Sequence, residues 1–368
     1  MYLVPFIFLL ALTASKKVFI DNDGLSALQV LFPLKAGWEI VGISGSFGSS
    51  SAVDAVGIGS DILETYNLTA CIPHYLGAQQ PLLRTQETFD TWQDLFGSLV
   101  WQGAFTHGYE DSYTWDNITY DDSKAGAVAM IEAVRAHKDT DPVYIWAAGM
   151  MTTVAQAISL YPNLVNESAG IYIMGGYFDT QYAAALGPPI VNDINTDINL
   201  IQDPEAAQIV LTAAWKHLVI GANVTNYLVP SQELYNRIID KAGGLDVIQD
   251  NPYFAQVLTM LATGNYTENT SEETLPFWDE VVTAFMVWPD LIESTSSFSV
   301  AVDTLFYSPF YGNLRIWGHE YAPHEMRTGN ATIVNKIDND RFYDLLVDTY
   351  FEDWRQYCIT GKSEALQY

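Results

Sequence analysis

Strand-like and helix-like segments alternate through the first two-thirds of this 368-residue chain, and that alternation narrows its fold more than any other feature. Short β-branched and aromatic runs read as strands at Val18–Asp21, Glu39–Gly45, Cys71–Tyr75, Val143–Ala147, Gly170–Met174 and Leu218–Gly221. Apolar positions at helical spacing read as helices at Leu25–Lys35, Ala52–Tyr66, Lys124–Ala136, Thr152–Leu160 and Pro204–Ala214. A βαβα rhythm predicts an α/β fold, Rossmann-like, with an open, mostly parallel sheet and helices on both faces. A helix at Val281–Val287, strands near Ser299–Val302 and Asn313–Trp317, and a terminal helix at Asp340–Trp354 complete the reading. Two segments break the rhythm, Leu83–Asp122 and Tyr177–Ile194. The first reads as a long loop or lid, rich in aromatics, Gly, Thr and Asp. No repeat or low-complexity linker divides the chain, so residues 16–368 read as a single domain.

The first strand ends in Asp21-Asn22-Asp23. Residues i and i+2 of an extended segment point the same way, so Asp21 and Asp23 can converge on one cation or polar ligand. The carboxyl edge of an open α/β sheet is where ligands bind. The plainer reading is a strand followed by an Asx-turn. Forty-four acidic residues against sixteen basic ones give a net charge of −28, which disfavours nucleic-acid polymers and anionic membranes as partners. A cation or a neutral small molecule suits that field. Most of the acidity also serves as an ordinary solvated surface.

Met1 to about Ser15 reads as a secretory signal: the apolar stretch Tyr2–Leu12 is too short to span a bilayer, and small residues follow it. A buried first helix is the alternative. Seven Asn-x-Ser/Thr sequons, at Asn67, Asn117, Asn166, Asn223, Asn265, Asn269 and Asn330, agree with a secreted, N-glycosylated protein. The only two cysteines, Cys71 and Cys358, form either one disulfide across a very long loop or two buried thiols.

Several motifs occur in a telling order. After Asp21-Asn22-Asp23 come Gly149-Met150-Met151-Thr152-Thr153, Met174-Gly175-Gly176, Asn199, Asp203-Pro204-Glu205-Ala206-Ala207 and Trp278-Asp279-Glu280. In order and spacing the chain resembles the inosine/uridine-preferring nucleoside hydrolases over about residues 17–350, most closely a secreted fungal branch. The resemblance implies that fold, a purine or pyrimidine ribonucleoside substrate, and a Ca²⁺ ion under the ribose. Matched by motif, the metal ligands are Asp23, the carbonyl of Thr152 and Asp279, with Asp21 supporting the site. It implies cleavage of the N-glycosidic bond through an oxocarbenium-like sugar, with a water activated at the metal losing its proton to Asp23. Asp197 and Asn199 match the pair that binds ribose hydroxyls, and Met174 matches a residue that packs on the sugar. Trp278 either stacks on the base or belongs to the core. Asp203-Pro204 is foremost a helix start, and Asp279 is also a candidate helix cap. Of the six histidines only His107, in the lid-like segment, is a candidate for assisting the leaving base.

The first motif departs from the family pattern. Gly24-Leu25-Ser26-Ala27 stands where two further carboxylates are usual. Ser26 can still bond a ribose hydroxyl, but Ala27 cannot bind metal, so Ca²⁺ affinity should be weakened or lost. Glu280 is the nearest candidate to compensate. Two competing readings follow: a catalytically impaired nucleoside-binding or interaction protein on the same fold, and a phosphatase of the haloacid-dehalogenase type using the Asp-x-Asp motif. The second needs a downstream Lys and another acidic pair, and neither is evident in the sequence. A homo-oligomer is compatible with either.

Overall fold

The computed structural model describes residues 15–99, 101–105, 113–178, 197–249, 254 and 276–365. The leader, His107, most of the second insertion, and sequons Asn265 and Asn269 lie outside them.

The chain alternates as expected at first: β1 (Lys17–Asn22), α1 (Ala27–Lys35), β2 (Glu39–Gly45), α2 (Ala52–Thr65) and β3 (His74–Leu76). Then come α3 (Gln86–Phe96), α4 (Gly126–His137), β4 (Val143–Ala147), α5 (Thr152–Leu160), α6 (Leu164–Glu167) and β5 (Gly170–Ile173). Helices α7 (Ile198–Ile201) and α8 (Pro204–Leu211) lead to β6 (Leu218–Ile220), which is followed by α9 (Ala222–Thr225), α10 (Gln232–Ala242) and α11 (Leu245–Gln249). Helix α12 (Trp278–Val287), β7 (Ile292–Val302), β8 (Leu314–Trp317), β9 (Gly329–Ile337) and α13 (Asn339–Tyr350) complete the main body.

Nine strands form one sheet in the order β3-β2-β1-β4-β5-β6-β9-β7-β8. All pairings from β3 to β9 are parallel, and only β7 runs antiparallel to its neighbours β9 and β8. The fold is therefore α/β with a mixed, mostly parallel sheet. Strand order runs outward in both directions from β1 and β4, so the switch point lies between them, and a crevice opens beyond their carboxyl ends.

Strand β1 shows why its sequence is apolar without alternation. Val18 and Ile20 sit in one core with Leu28, Phe32, Val281 and Phe342, while Phe19 sits in the other with Met130, Val154 and Val210. A strand buried on both faces needs apolar side chains at every position. The same parity carries on into the acidic motif: Asp21 continues the face of Phe19, and Asn22 continues that of Ile20, toward α12.

Several elements were unread in the sequence: helices α6, α7, α9, α10 and α11, and two that shape the fold more, α3 and β9. The lid-like segment contains α3, with Thr85 at its N-cap accepting from Thr88 N at 3.3 Å and Phe89 and Trp92 fully buried one turn apart. Its polar composition hid a three-residue apolar spacing. Strand β9, unread in the sequence, lies in the middle of the sheet between β6 and β7. Cys71 and Cys358 form a disulfide, deciding between the two states left open above.

Candidate active site

The crevice at the switch point is a cleft lined by Asp23, Ser49, Trp101, Ala148, Met174, Tyr177, Asp197, Ile198, Asn199, Trp278 and Asp279, with about 440 Å³ of empty space counted to its mouth. Each wall follows from the topology. Asp23 lies just past β1, Ala148 just past β4 and Met174 just past β5.

Asp23 is buried. Its Oδ2 accepts from the Ser49 amide at 2.5 Å and the Ser49 hydroxyl at 2.8 Å. Two glycines make room for it. A Cβ on Gly48 would lie 2.1 Å from Asp23 Oδ2, and one on Gly149 would lie 2.8 Å from Oδ1. Burial raises Asp23 to a pKa of about 6, with the Ser49 hydrogen bonds holding it lower than burial alone would.

Asp21 lies beneath the cleft and does not line it. Its Oδ1 accepts from Ser44 Oγ at 2.6 Å. Burial pushes its pKa to about 7, against the lowering effect of the Ser44, Thr153 and Ser46 hydroxyls. Asp279 stands in the first turn of α12, where the helix dipole favours an anion. Its Oδ2 accepts from Asn22 Nδ2 at 3.3 Å. Burial and then the charges of Asp23 and Glu280 raise its pKa well above the ordinary carboxylate range, while Asn22 and Gln29 oppose that rise. Asp23 and Asp279 thus face one another across a single site, although 256 positions separate them in sequence.

Opposite, Asp197 Oδ2 accepts from the Gly176 and Tyr177 amides at 2.8 and 2.9 Å. Gly175 at φ +138° and Gly176 at φ +87° turn both amides toward it, conformations that favour glycine. Asn199 Nδ2 donates to the carbonyls of Met174 (2.8 Å) and Ala148 (3.3 Å), leaving its carbonyl oxygen as the acceptor end. Trp278 Nε1 donates to Asn226 Oδ1 at 3.0 Å, and its ring meets Trp101 edge-on with centroids 5.8 Å apart.

Of the residues singled out in the sequence, Asp23, Met174, Asp197, Asn199, Trp278 and Asp279 come together at the cleft. Ser26 caps the start of α1 and does not line it. Thr152 begins α5 with its hydroxyl donating to Asp203 Oδ2 at 2.7 Å, and it too lies outside the lining. Glu280 is also absent from the lining; burial raises its pKa and the Ser26 hydroxyl acts to lower it. Trp101, Tyr177 and Ile198 were not foreseen. An aromatic-rich insertion was the only signal for Trp101.

The family model of the inosine-uridine preferring nucleoside hydrolases matches residues 18–344. The chain belongs to this family. An uncharacterized protein of Schizosaccharomyces pombe is 40% identical over 353 residues, covering 95% of this chain and 89% of its own length. The pyrimidine-specific ribonucleoside hydrolase RihB of Escherichia coli is 24% identical, covering 75% of this chain and 77% of its own. A plant nucleoside hydrolase superposes with a TM-score of 0.67 at 18% identity, covering 92% of this chain and 99% of the other. A purine-preferring ribonucleoside hydrolase from Gardnerella vaginalis gives 0.64 at 20%, covering 91% and 98%. These nucleoside hydrolases share the fold described above.

Three carboxylates and no Lys, Arg or His line the cleft. Among the described residues no cluster of three or more His, Cys, Asp or Glu side chains suited to a metal is present. The oxygen donors that do converge are two carboxylates, Asp23 and Asp279. Their mutual repulsion, and the absence of any basic side chain in the lining, fit a hard cation such as Ca²⁺, which tolerates irregular oxygen coordination. The family typically binds that ion.

Proposed function

We propose that this nucleoside hydrolase family member cleaves the N-glycosidic bond of ribonucleosides, giving ribose and a free base. The observation that carries the reading is the convergence of Asp23, Asp279, Asp197 and Asn199 on one cleft at the switch point of the sheet. Asp23 and Asp279 would hold Ca²⁺, with the Thr152 carbonyl as the further ligand suggested by the family motif. When bound, the ion acidifies water and orients ribose hydroxyls.

Asp23 serves as the base. Ser49 fixes its Oδ2 through two hydrogen bonds, and its carboxylate lines the cleft within reach of a substrate water. As the water oxygen bonds to C1′, its proton passes to Asp23, and the bond from C1′ to the base breaks with its electron pair leaving on the base nitrogen, which takes up a proton from solvent. The anionic cleft stabilises the positive charge that develops on the sugar. Asn199 presents its carbonyl oxygen to a ribose hydroxyl, beside Asp197, and Met174 packs on the sugar. Trp101 and Trp278 form an aromatic wall against which a planar base can stack. Asp21 supports Asp23 from below.

A second reading, a nucleoside-binding protein with impaired catalysis, draws on the two-carboxylate metal site, since affinity for Ca²⁺ follows the charge count of its ligands. A reducing-sugar assay on purified protein across a panel of ribonucleosides, with Ca²⁺ and with chelator, separates the two. Turnover that chelator abolishes supports the hydrolase, whereas nucleoside binding without ribose release supports the alternative. We further propose export through the secretory route, supported by the apolar leader, the sequons and the Cys71–Cys358 disulfide.

A further inference from the structure

A second cleft lies away from the active site, near the amino end of β9. It is an open groove lined by Ser297, Ser299, His319, Pro323, Thr328 and Asn330, among others, with about 910 Å³ of empty space counted to its mouth. Strand β7 supplies its floor. Ser299 pairs directly with Asn330 of β9, and opposed residues on antiparallel strands share a face. The segment from His319 to Thr328 arches over that face and is tied back where Arg327 Nε donates to the Thr212 carbonyl at 3.1 Å.

Polar groups furnish the walls. Ser297 Oγ lies 3.0 Å from His319 Nε2, and Ser299 Oγ lies 3.0 Å from His319 Nδ1. One imidazole is thus clamped between two hydroxyls, donating through one nitrogen and accepting through the other. Hydroxyls, an amide and imidazole in a roomy cleft suit a ligand rich in hydroxyls. Asn330 is exposed and makes no side-chain hydrogen bond among the described residues. It opens the triplet Asn330-Ala331-Thr332. Asn67, Asn117 and Asn166 are exposed as well, and Asn223 is half-buried in α9; Asn330 is the one of these that lines the cleft.

We propose that Asn330 carries an N-linked glycan whose first sugars lie in this cleft, against Ser297, His319 and Thr328. The proposal rests on export through the secretory route and is independent of catalysis. In the transfer, Asn330 Nδ2 bonds to the anomeric carbon of an oligosaccharide donated by a lipid pyrophosphate. The bond from that carbon to the phosphate oxygen breaks, the lipid pyrophosphate leaves with the electron pair, and the amide loses one proton. The sugar covers the end of the sheet opposite the active-site edge, so it leaves the nucleoside cleft open.

The test is secretion of the full chain from a eukaryotic host, glycopeptide mapping, and treatment with a peptide-N-glycosidase before and after denaturation. Asn330 should be occupied. Its glycan should leave the native protein about tenfold more slowly than the denatured one, equivalent to about 1.4 kcal/mol of protection. His319→Ala or Ser297→Ala should speed native release while occupancy stays. An unmodified Asn330 beside an occupied Asn117 or Asn166 overturns the proposal and leaves export standing. No glycan on any sequon overturns both. Occupancy at Asn330 with equal native and denatured release rates overturns the seating in the cleft.

Discussion

Replacing Gly48 with alanine puts a methyl group where the Asp23 carboxylate now lies. The new Cβ would stand 2.1 Å from Oδ2, 2.4 Å from Cβ and 2.6 Å from Cγ of Asp23, while ordinary contact begins near 3.4 Å. The backbone of Gly48 is not in the left-handed region, so alanine suffers no torsional strain there. The clash must be relieved by moving Asp23 by more than about 1 Å, a displacement that typically costs about 100-fold in rate. That corresponds to about 2.7 kcal/mol of lost transition-state stabilisation. The move also stretches both hydrogen bonds from Ser49. Gly24→Ala is the matched control, because its Cβ would meet nothing within 4 Å. The assay is kcat/KM for nucleoside hydrolysis with Ca²⁺, alongside circular dichroism to confirm folding. A folded Gly48→Ala enzyme with undiminished kcat/KM would refute the reasoning, as would an equal loss in Gly24→Ala.

Three further outcomes follow from the same structure. In cation-free protein, Asp21 and Asp23 keep their protons up to pH of about 7 and 6, whereas the unfolded chain releases them near 3.8. The native state then binds more protons, so their contribution to stability falls as pH rises from about 4 to about 7, by on the order of 3 kcal/mol per group. Added Ca²⁺ should raise Tm more at pH 7.5 than at pH 5, and an equal rise at both would count against a carboxylate site. Cys71 precedes β3 and so lies at the amino edge of the sheet, away from the active site, and its bridge to Cys358 spans 287 positions. Cys71→Ser should lower unfolding stability by about 2–5 kcal/mol, measured by denaturant titration, with kcat/KM unchanged. Trp101→Ala should raise KM through the loss of about 1–3 kcal/mol of stacking, with a smaller change in kcat. Steady-state kinetics on a purine and a pyrimidine nucleoside would show this, and an unchanged KM on both would remove Trp101 from the base side.

Much of the architecture was legible in the chain because local patterns carry it. The alternation of apolar runs and amphipathic stretches forecasts a parallel sheet, and the acidic end of β1 marks its functional edge. Strand β9 escaped because its Asn-Ala-Thr and Asn-Lys pairs dilute the apolar signal, and its place beside β6 is set by distant contacts. Helix α3 escaped because only Phe89 and Trp92 of its surface are buried. At the site, the motif residues that line the cleft sit on strand ends and helix starts, which the sequence locates well. The Thr152–Asp203 bond, 51 residues apart, and the bond from Asn22 to Asp279 were not legible, since each joins segments brought together only by folding. Trp101 likewise owes its place to the Gln202 amide, which donates to its carbonyl at 2.8 Å.

The most direct test of the account is Ca²⁺ binding measured by calorimetry in the unaltered chain, in Asp23→Asn and in Asp279→Asn, with nucleoside hydrolysis followed on the same samples. The account predicts one ion bound by the unaltered chain, and loss of both binding and turnover in each variant. Binding and hydrolysis at full strength in both variants would contradict it.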